Sequence, residues 1–373
     1  MKKIKITTIW FVGFCVCLIA KSAISQTRLK AGFDKEEYIE MLKIAQKQHM
    51  AVEEWGKDTS VPAPQKYTLA YRSKTMAFEN MWDLWLSGDS IAVISVRGSV
   101  SSPLSFLANF YAAMVPASGE LKLENNFTFK YNFSDNPNAA VHAGFLVATA
   151  YLSKDILPKI DSCYKKLGIK NFIITGHSQG GGICYLLTSH LASLQFTNKL
   201  PGDIRFKTYC GAAPKPGNLF YAYSFEKLTA DGWGYNVVNT ADWVPEVPFS
   251  IQTTDDFTSI NPFNGAEEMI NAQKFPANLA LKHAYNQMSK PAKKTRKNYQ
   301  KYLGRMVSKT VKKQFPEFTV PVFFNSNNYV RTGTTIVLYA DEEYYKQFPQ
   351  DPKKIWSNHL IEPYLYLTEK RRP

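Results

Sequence analysis

The chain reads as an α/β protein built on a mostly parallel sheet with helices on both faces. Three observations predict this. Short apolar β-prone runs alternate with helix-length amphipathic ones from residue 91 onward, and their spacing suits parallel crossovers. Gly176-His177-Ser178-Gln179-Gly180 joins a strand-like run to a helix-like one through a sharp turn. An apolar content of 45% in 373 residues can build one large domain, and no internal repeat is evident.

Asp34, with an acid three positions on at Glu37, predicts a helix N-cap, and Ile39, Leu42 and Ala45 recur at helical spacing behind it. After Val61-Pro62-Ala63-Pro64 come a strand near 67–71, a mixed apolar segment over 78–86 and a strong strand over 91–96 that runs into Arg97-Gly98-Ser99. The pattern then predicts helix 141–157, strand 171–175, helix 179–194, strand 205–210, helix 219–228 and strand 235–239. An insertion at about 262–320 breaks the alternation. Beyond it, 334–340 reads as a strand and 361–367 as a short terminal element.

The N-terminus predicts export. Lys2, Lys3 and Lys5 precede an apolar run from Ile6 to Ala20, and Ala23-Ile24-Ser25 offers small residues for cleavage. Residues 1–25 are therefore expected to be a signal peptide and 26–373 a single domain, secreted or periplasmic. An uncleaved anchor is the rival, but the run is shorter than the roughly 20 residues a spanning helix needs. Cys163, Cys184 and Cys210 would remain, enough for one disulfide but not for a disulfide framework.

The formal charge of +14 is concentrated. Lys282 to Pro316 holds eleven Lys or Arg and no Asp or Glu, and outside it the exported chain is close to neutral. Lysines there alternate with Tyr285, Tyr299, Tyr302, Leu303, Met306, Val307 and Val311, as in an amphipathic helix suited to an anionic membrane surface. A solvated arm is the plainer reading. Nucleic acid, whose phosphates attract lysine equally, is disfavoured by the expected export signal, so no nucleic-acid partner is expected.

A serine needs a base to take its proton and an acid to orient that base. Ser178, at the strand-to-helix turn, is the candidate nucleophile. After it come His190, within the following helix, His283, at the start of the basic block, and His359, in a polar loop past the last strand; His359 is preferred. Asp242, three residues beyond strand 235–239 in a loop held by Pro245 and Pro248, is preferred as the acid over Asp341. The backbone N–H groups of Gln179 and Ser99 are candidate oxyanion donors. No His or Cys pair has metal-ligand spacing, so no metal or cofactor is expected.

Several of these segments together resemble the class 3 (fungal-type) lipase family. Ile94 to Ser99 is similar to its oxyanion strand, Val141 to Phe145 to the start of its next helix, and Gly176 to Gly180 to its nucleophile elbow. Thr208 to Asn218 looks like the following strand and turn, Asp242 to Pro248 like the acid loop, and His359 with Tyr364 like the final histidine segment. The resemblance implies an α/β-hydrolase fold and a carboxylic ester hydrolase with Ser178, Asp242 and His359 as triad and Ser99 and Gln179 at the oxyanion. It also implies that His142 braces a helix start. The chain departs from the family in having Ser99 after Arg-Gly, where Thr is usual, and in its basic insertion.

Residues 103–118 occupy the position where the resemblance implies a lid; a core helix is the competing reading. Two functional classes follow: an exported lipase or lipid esterase, or a non-enzymatic surface- or lipid-binding protein on a hydrolase scaffold. Five chemically apt residues held in order favour the enzyme.

Overall fold

The computed structural model describes residues 29–88 and 91–371. The expected signal peptide lies outside them. Helix α1 (Lys35–Lys47) starts as predicted, with the Asp34 carboxylate accepting the Glu37 N–H at 3.0 Å. Strands β1 (Thr68–Arg72), β2 (Trp82–Leu86) and β3 (Ile91–Val96) follow, then α2 (Pro103–Phe110), β4 (Met114–Pro116), the hairpin β5 (Ser118–Glu124) and β6 (Phe127–Asn132), and β7 (Ala140–His142). The central run is α3 (Ala143–Leu167), β8 (Asn171–His177), α4 (Gln179–Phe196), β9 (Arg205–Gly211), β10 (Gly217–Asn218), α5 (Leu219–Leu228) and β11 (Gly234–Asn239). The insertion supplies α6 (Ala266–Asn271), α7 (Ala277–Tyr299) and α8 (Val307–Gln314). After it come β12 (Tyr329–Val330), β13 (Thr334–Leu338), α9 (Glu342–Gln347) and α10 (Ile361–Lys370).

The main sheet has the order β1-β2-β3-β8-β9-β11-β13, antiparallel at β1–β2–β3 and parallel from β3 to β13. This is the α/β-hydrolase arrangement. Strand periodicity of two sorts its side chains onto opposite faces. Ala92, Ile94, Val96, Phe172 and Ile174 pack into a core shared with α3, α4 and α5. Ile91, Val93, Ile173 and Tyr209 pack into a second core with α1 and α10. Burial on both faces explains why β3 and β8 read as continuous apolar runs rather than alternating ones.

Two expectations need correction. Val141 and His142 are strand, not helix, because β7 pairs with β4 and β10. Helix α3 begins after His142, whose Nδ1 accepts the Phe145 N–H at 3.4 Å, and continues to Leu167, where Gly168 takes the left-handed conformation. The sequence pattern also gave no sign of the β5–β6 hairpin or of the small β12-β10-β7-β4 sheet. Strands of two or three residues carry too little periodicity to be read. Cys163, Cys184 and Cys210 are free and buried. Among the described residues no helix is long and apolar enough to cross a membrane.

Candidate active site

Strand β8 ends at His177 and α4 starts at Gln179, so Ser178 alone makes the turn, with φ 61° and ψ −130°. A non-glycine residue held there carries about 1–3 kcal/mol of strain, which persists only when the surroundings fix it. They do: a side chain on Gly180 would come within 2.1 Å of the Val96 carbonyl, and one on Gly176 within 2.4 Å of Gly180. The elbow is thus pinned between β3 and α4. Its hydroxyl stands at the positive end of α4, beside backbone N–H groups with no intrahelical acceptor.

The end of β3 lies against this turn, because a Cβ at Gly98 would be 3.4 Å from Ser178 Cβ. That brings Ser99 beside the serine. The Ser99 hydroxyl accepts from Asn109 Nδ2 at 2.9 Å, and the side chain of Gln179 donates to the Ser105 carbonyl at 2.9 Å. Both predicted oxyanion residues are therefore tied to α2, which lies over the elbow.

The loop after β11 carries Asp242, and the turn before α10 carries His359. The imidazole is buried and its Nδ1–H donates to Asp242 Oδ2 at 2.7 Å. The same oxygen accepts the Tyr364 hydroxyl at 2.8 Å, and Oδ1 accepts the Val244 N–H at 2.9 Å. Three donors fix the carboxylate. His359 Nε2 is buried with no hydrogen-bond partner among the described residues. No hydrogen bond links it to Ser178; such bonds are commonly long at rest and tighten with substrate.

Residues 177 and 359 touch. His177 Nε2–H donates to the His359 carbonyl at 2.6 Å, with ring centroids 5.0 Å apart, and its ring meets Tyr364 edge-on at 5.1 Å. Burial, reinforced by the neighbouring imidazole of residue 359, holds the His177 pKa well below the usual histidine value, so this imidazole stays neutral. Burial, then the Asp242 charge, raises the Tyr364 hydroxyl well above its ordinary range and keeps it a donor. The positioning role of His177 was missed. Strand parity held the signal, because residues 173, 175 and 177 share one face of β8 and Ile173 packs into the α1–α10 core.

The rejected candidates sit elsewhere. His283 is exposed on α7, and His190 is buried among Phe129 and Phe133. Asp341 caps α9 by accepting the Tyr344 N–H at 2.8 Å. His142 braces the start of α3: its Nε2–H donates to the Asn109 carbonyl at 3.2 Å, its ring stacks on Phe145, and burial lowers its pKa to about 3.

Helix α2 lies half-buried at the surface, with Leu104 and Leu107 packed against the core. Only Ser105 and Ala108 are buried, while Phe110 is 60% exposed. It occupies only the first half of 103–118; 114–116 form a buried strand. The Phe106 ring contacts Trp356 at 6.2 Å, and Trp356 stands between Trp243, at 4.9 Å, and His359, at 5.8 Å. With half-exposed Ile355 and Leu360, these rings form an apolar rim beside the base.

An α/β hydrolase with a serine elbow and a His–Asp pair is the class that this fold and site define. Residues 93–252 match the class 3 lipase family. A secreted mono- and diacylglycerol lipase of Fusarium solani is 27% identical over 166 residues, 43% of this chain and 47% of that protein. A second protein of that description, from Malassezia globosa, is 27% identical over 124 residues, covering 32% and 38%. The chain spans less than half the length of these curated relatives. Among solved structures, a lipase from Rhizopus microsporus var. chinensis aligns at 21% identity and TM-score 0.40, covering 57% of this chain and 69% of the other. The Rhizomucor miehei triacylglyceride lipase aligns at 18% and 0.43, covering 59% and 77%.

Proposed function

We propose that the protein is an exported serine hydrolase of lipid carboxylic esters, with Ser178 as nucleophile, His359 as base and Asp242 as its orienting acid. In this reading Ser178 Oγ attacks the ester carbonyl while His359 Nε2 takes its proton. The tetrahedral oxyanion is held by the N–H groups of Ser99 and Gln179. His359 then returns the proton to the leaving alcohol, and water, activated the same way, releases the acid. The observation that carries the reading is the strained Ser178, which follows the His177 that touches His359, together with a buried His359 whose Nδ1 is bonded to Asp242 and whose Nε2 is unengaged.

The apolar rim of Trp243, Trp356 and Leu360 supports an acyl-chain substrate over a polar one. The names of the two relatives support glycerides, and their secretion supports export. We place the enzyme at a lipid interface, with the basic insertion toward an anionic membrane. The test is covalent labelling with a serine-directed phosphonate, followed by nitrophenyl esters of increasing chain length. We expect labelling that is lost in Ser178→Ala and activity that rises at an emulsified interface. A folded wild-type protein that takes no label turns the reading over to a binding protein on a hydrolase scaffold.

A further inference from the structure

We infer that the insertion is a docking arm for an anionic phospholipid surface, held by an apolar edge of α7 together with the lysines around it. The inference rests on the lipid-hydrolase reading and names the surface on which that activity takes place.

Three observations carry it. The first is exposure. Within α7 only Arg296 and Tyr299 are buried, and Arg296 anchors the helix by donating to Asp255 at 2.6 Å and Thr253 at 3.0 Å. The N-terminal part projects. Leu281, Ala284 and Met288 recur at helical spacing on one edge, Leu281 being 48% and Met288 71% exposed, and Phe275, just before the helix, is 78% exposed. An apolar edge of this kind remains in water only when something else covers it in use.

The second is charge. Lys293 and Arg296 pair with Asp255. The other nine basic residues of the block are exposed and make no ion pair among the described residues. A second copy of this chain laid on the edge would bring the same positive block against it, so charge disfavours self-association. Soluble polyanions would satisfy the lysines and leave Phe275, Leu281 and Met288 in water. An anionic bilayer suits both, taking the apolar edge at the acyl boundary while the lysines reach the headgroups.

The third is position. After α7 the chain makes a π-helical turn, Gln300–Met306, packed on the segment that leaves α2. The Ala113 N–H donates to the Leu303 carbonyl at 3.2 Å, and Tyr111 and Ser308 share a hydrogen bond of 2.9 Å. A side chain at Gly304 would be 2.9 Å from Ala113 Cβ, so only glycine permits this approach. Tyr302 and Met306, on either side of Leu303, are half-exposed, as is Phe110 at the end of α2. A surface that holds the arm is therefore brought close to the cover of the site.

The test uses the full chain carrying Ser178→Ala, so that binding is read without hydrolysis. It is floated with vesicles of phosphatidylcholine alone or with phosphatidylserine added. We expect at least tenfold stronger partitioning onto the anionic vesicles. Each lysine near such a surface contributes about a fivefold gain, so Lys282→Gln/Lys290→Gln/Lys294→Gln should weaken partitioning by about a hundredfold. Leu281→Ser/Met288→Ser should also lose vesicle binding while still binding soluble polyphosphate. Equal partitioning onto both vesicle types overturns the inference. So does anionic-vesicle binding that survives Leu281→Ser/Met288→Ser, or a solution dimer that this double variant abolishes. Anionic-vesicle binding by a wild-type chain that takes no phosphonate label removes the hydrolase reading and supports the docking surface.

Discussion

Asp242→Asn separates orientation from mere burial at the base. In the native site Oδ1 is taken by the Val244 N–H, and Oδ2 by both His359 Nδ1–H and the Tyr364 hydroxyl. An asparagine offers one acceptor where the carboxylate offers two. If its oxygen stays with Val244, its NH2 faces two donors. His359 can then bond only in the tautomer whose Nδ1 accepts and whose Nε2 carries the proton, and that nitrogen cannot take a proton from Ser178. Flipping the amide sets its NH2 against the Val244 N–H instead, with a lost hydrogen bond and an unsatisfied donor costing about 1–3 kcal/mol. The unproductive tautomer therefore dominates. The corresponding Asp-to-Asn change in a serine protease lowers kcat by about 10,000-fold, and we expect a drop of about that size here, roughly 5.5 kcal/mol in barrier. KM for a soluble nitrophenyl ester should change little, because the carboxylate does not touch substrate. The assay is steady-state and single-turnover hydrolysis on protein whose melting curve shows that it is folded. Activity within tenfold of wild type would refute the reasoning, because His359 would then not depend on Asp242 for its tautomer.

Tyr364→Phe removes one donor from Asp242 and leaves the Asn239 N–H, which bonds the hydroxyl at 3.1 Å, without its acceptor. We expect about 1–3 kcal/mol lost in urea unfolding and roughly tenfold in kcat, with KM steady. Gln179→Ala keeps the backbone donor but frees α2 from its tie at Ser105. A bond worth about 1 kcal/mol shifts a cover equilibrium about fivefold, so turnover of a soluble short ester should rise by up to that factor without an interface; no change would mean that α2 does not gate the site. His142 titrates near 3 when folded and near 6.5 when unfolded, so between these values the unfolded chain binds the extra proton. Its contribution is full above pH 6.5 and falls with pH by at most about 1.4 kcal/mol per unit. His142→Asn, which retains a capping side chain, should flatten urea-measured stability between pH 6.5 and 4 by up to that slope.

What was legible in the sequence follows from what each feature depends on. Strands β3, β8 and β11 and helix α5 were readable because they are long enough to show a period and are buried by local pattern. Ser178 was readable because its environment is local: two glycines, a strand and a helix within a few residues. Asp242 and His359 were reached only through the expected order of strand ends and loops, and their meeting at 2.7 Å depends on sheet order. Tyr364 entered only as part of a resemblance, and its bond to the carboxylate was invisible. Strand parity showed which face of β8 His177 occupies, but not its partner, a backbone carbonyl 182 positions away that only the fold brings near. The apolar stretch over 103–118 did not show that its second half is strand, because 114–116 is apolar for a different reason, pairing with β7.

The separation of His359 from Asp242 in sequence, which the insertion makes large, has little effect on the site. β11 and β13 are parallel neighbours in continuous register from Tyr235↔Thr334 to Asn239↔Leu338. The chain therefore leaves the sheet at Asn239 and returns on the adjacent strand. The entropy of closing such a loop grows only logarithmically with its length, about 0.6 kcal/mol for each doubling. The insertion adds chain between these strands without displacing either. Their ends are further clamped by Asn239, whose Nδ2 donates to the Tyr344 hydroxyl and to the Asn358 carbonyl, next to the base. Asp242 is fixed from one strand and His359 from the other, so the geometry depends on strand register and not on what the chain does between them. Where the insertion returns to the body it packs on the segment leaving α2 rather than on the His359–Asp242 pair. Changes in it should alter access to the site and leave the proton path intact.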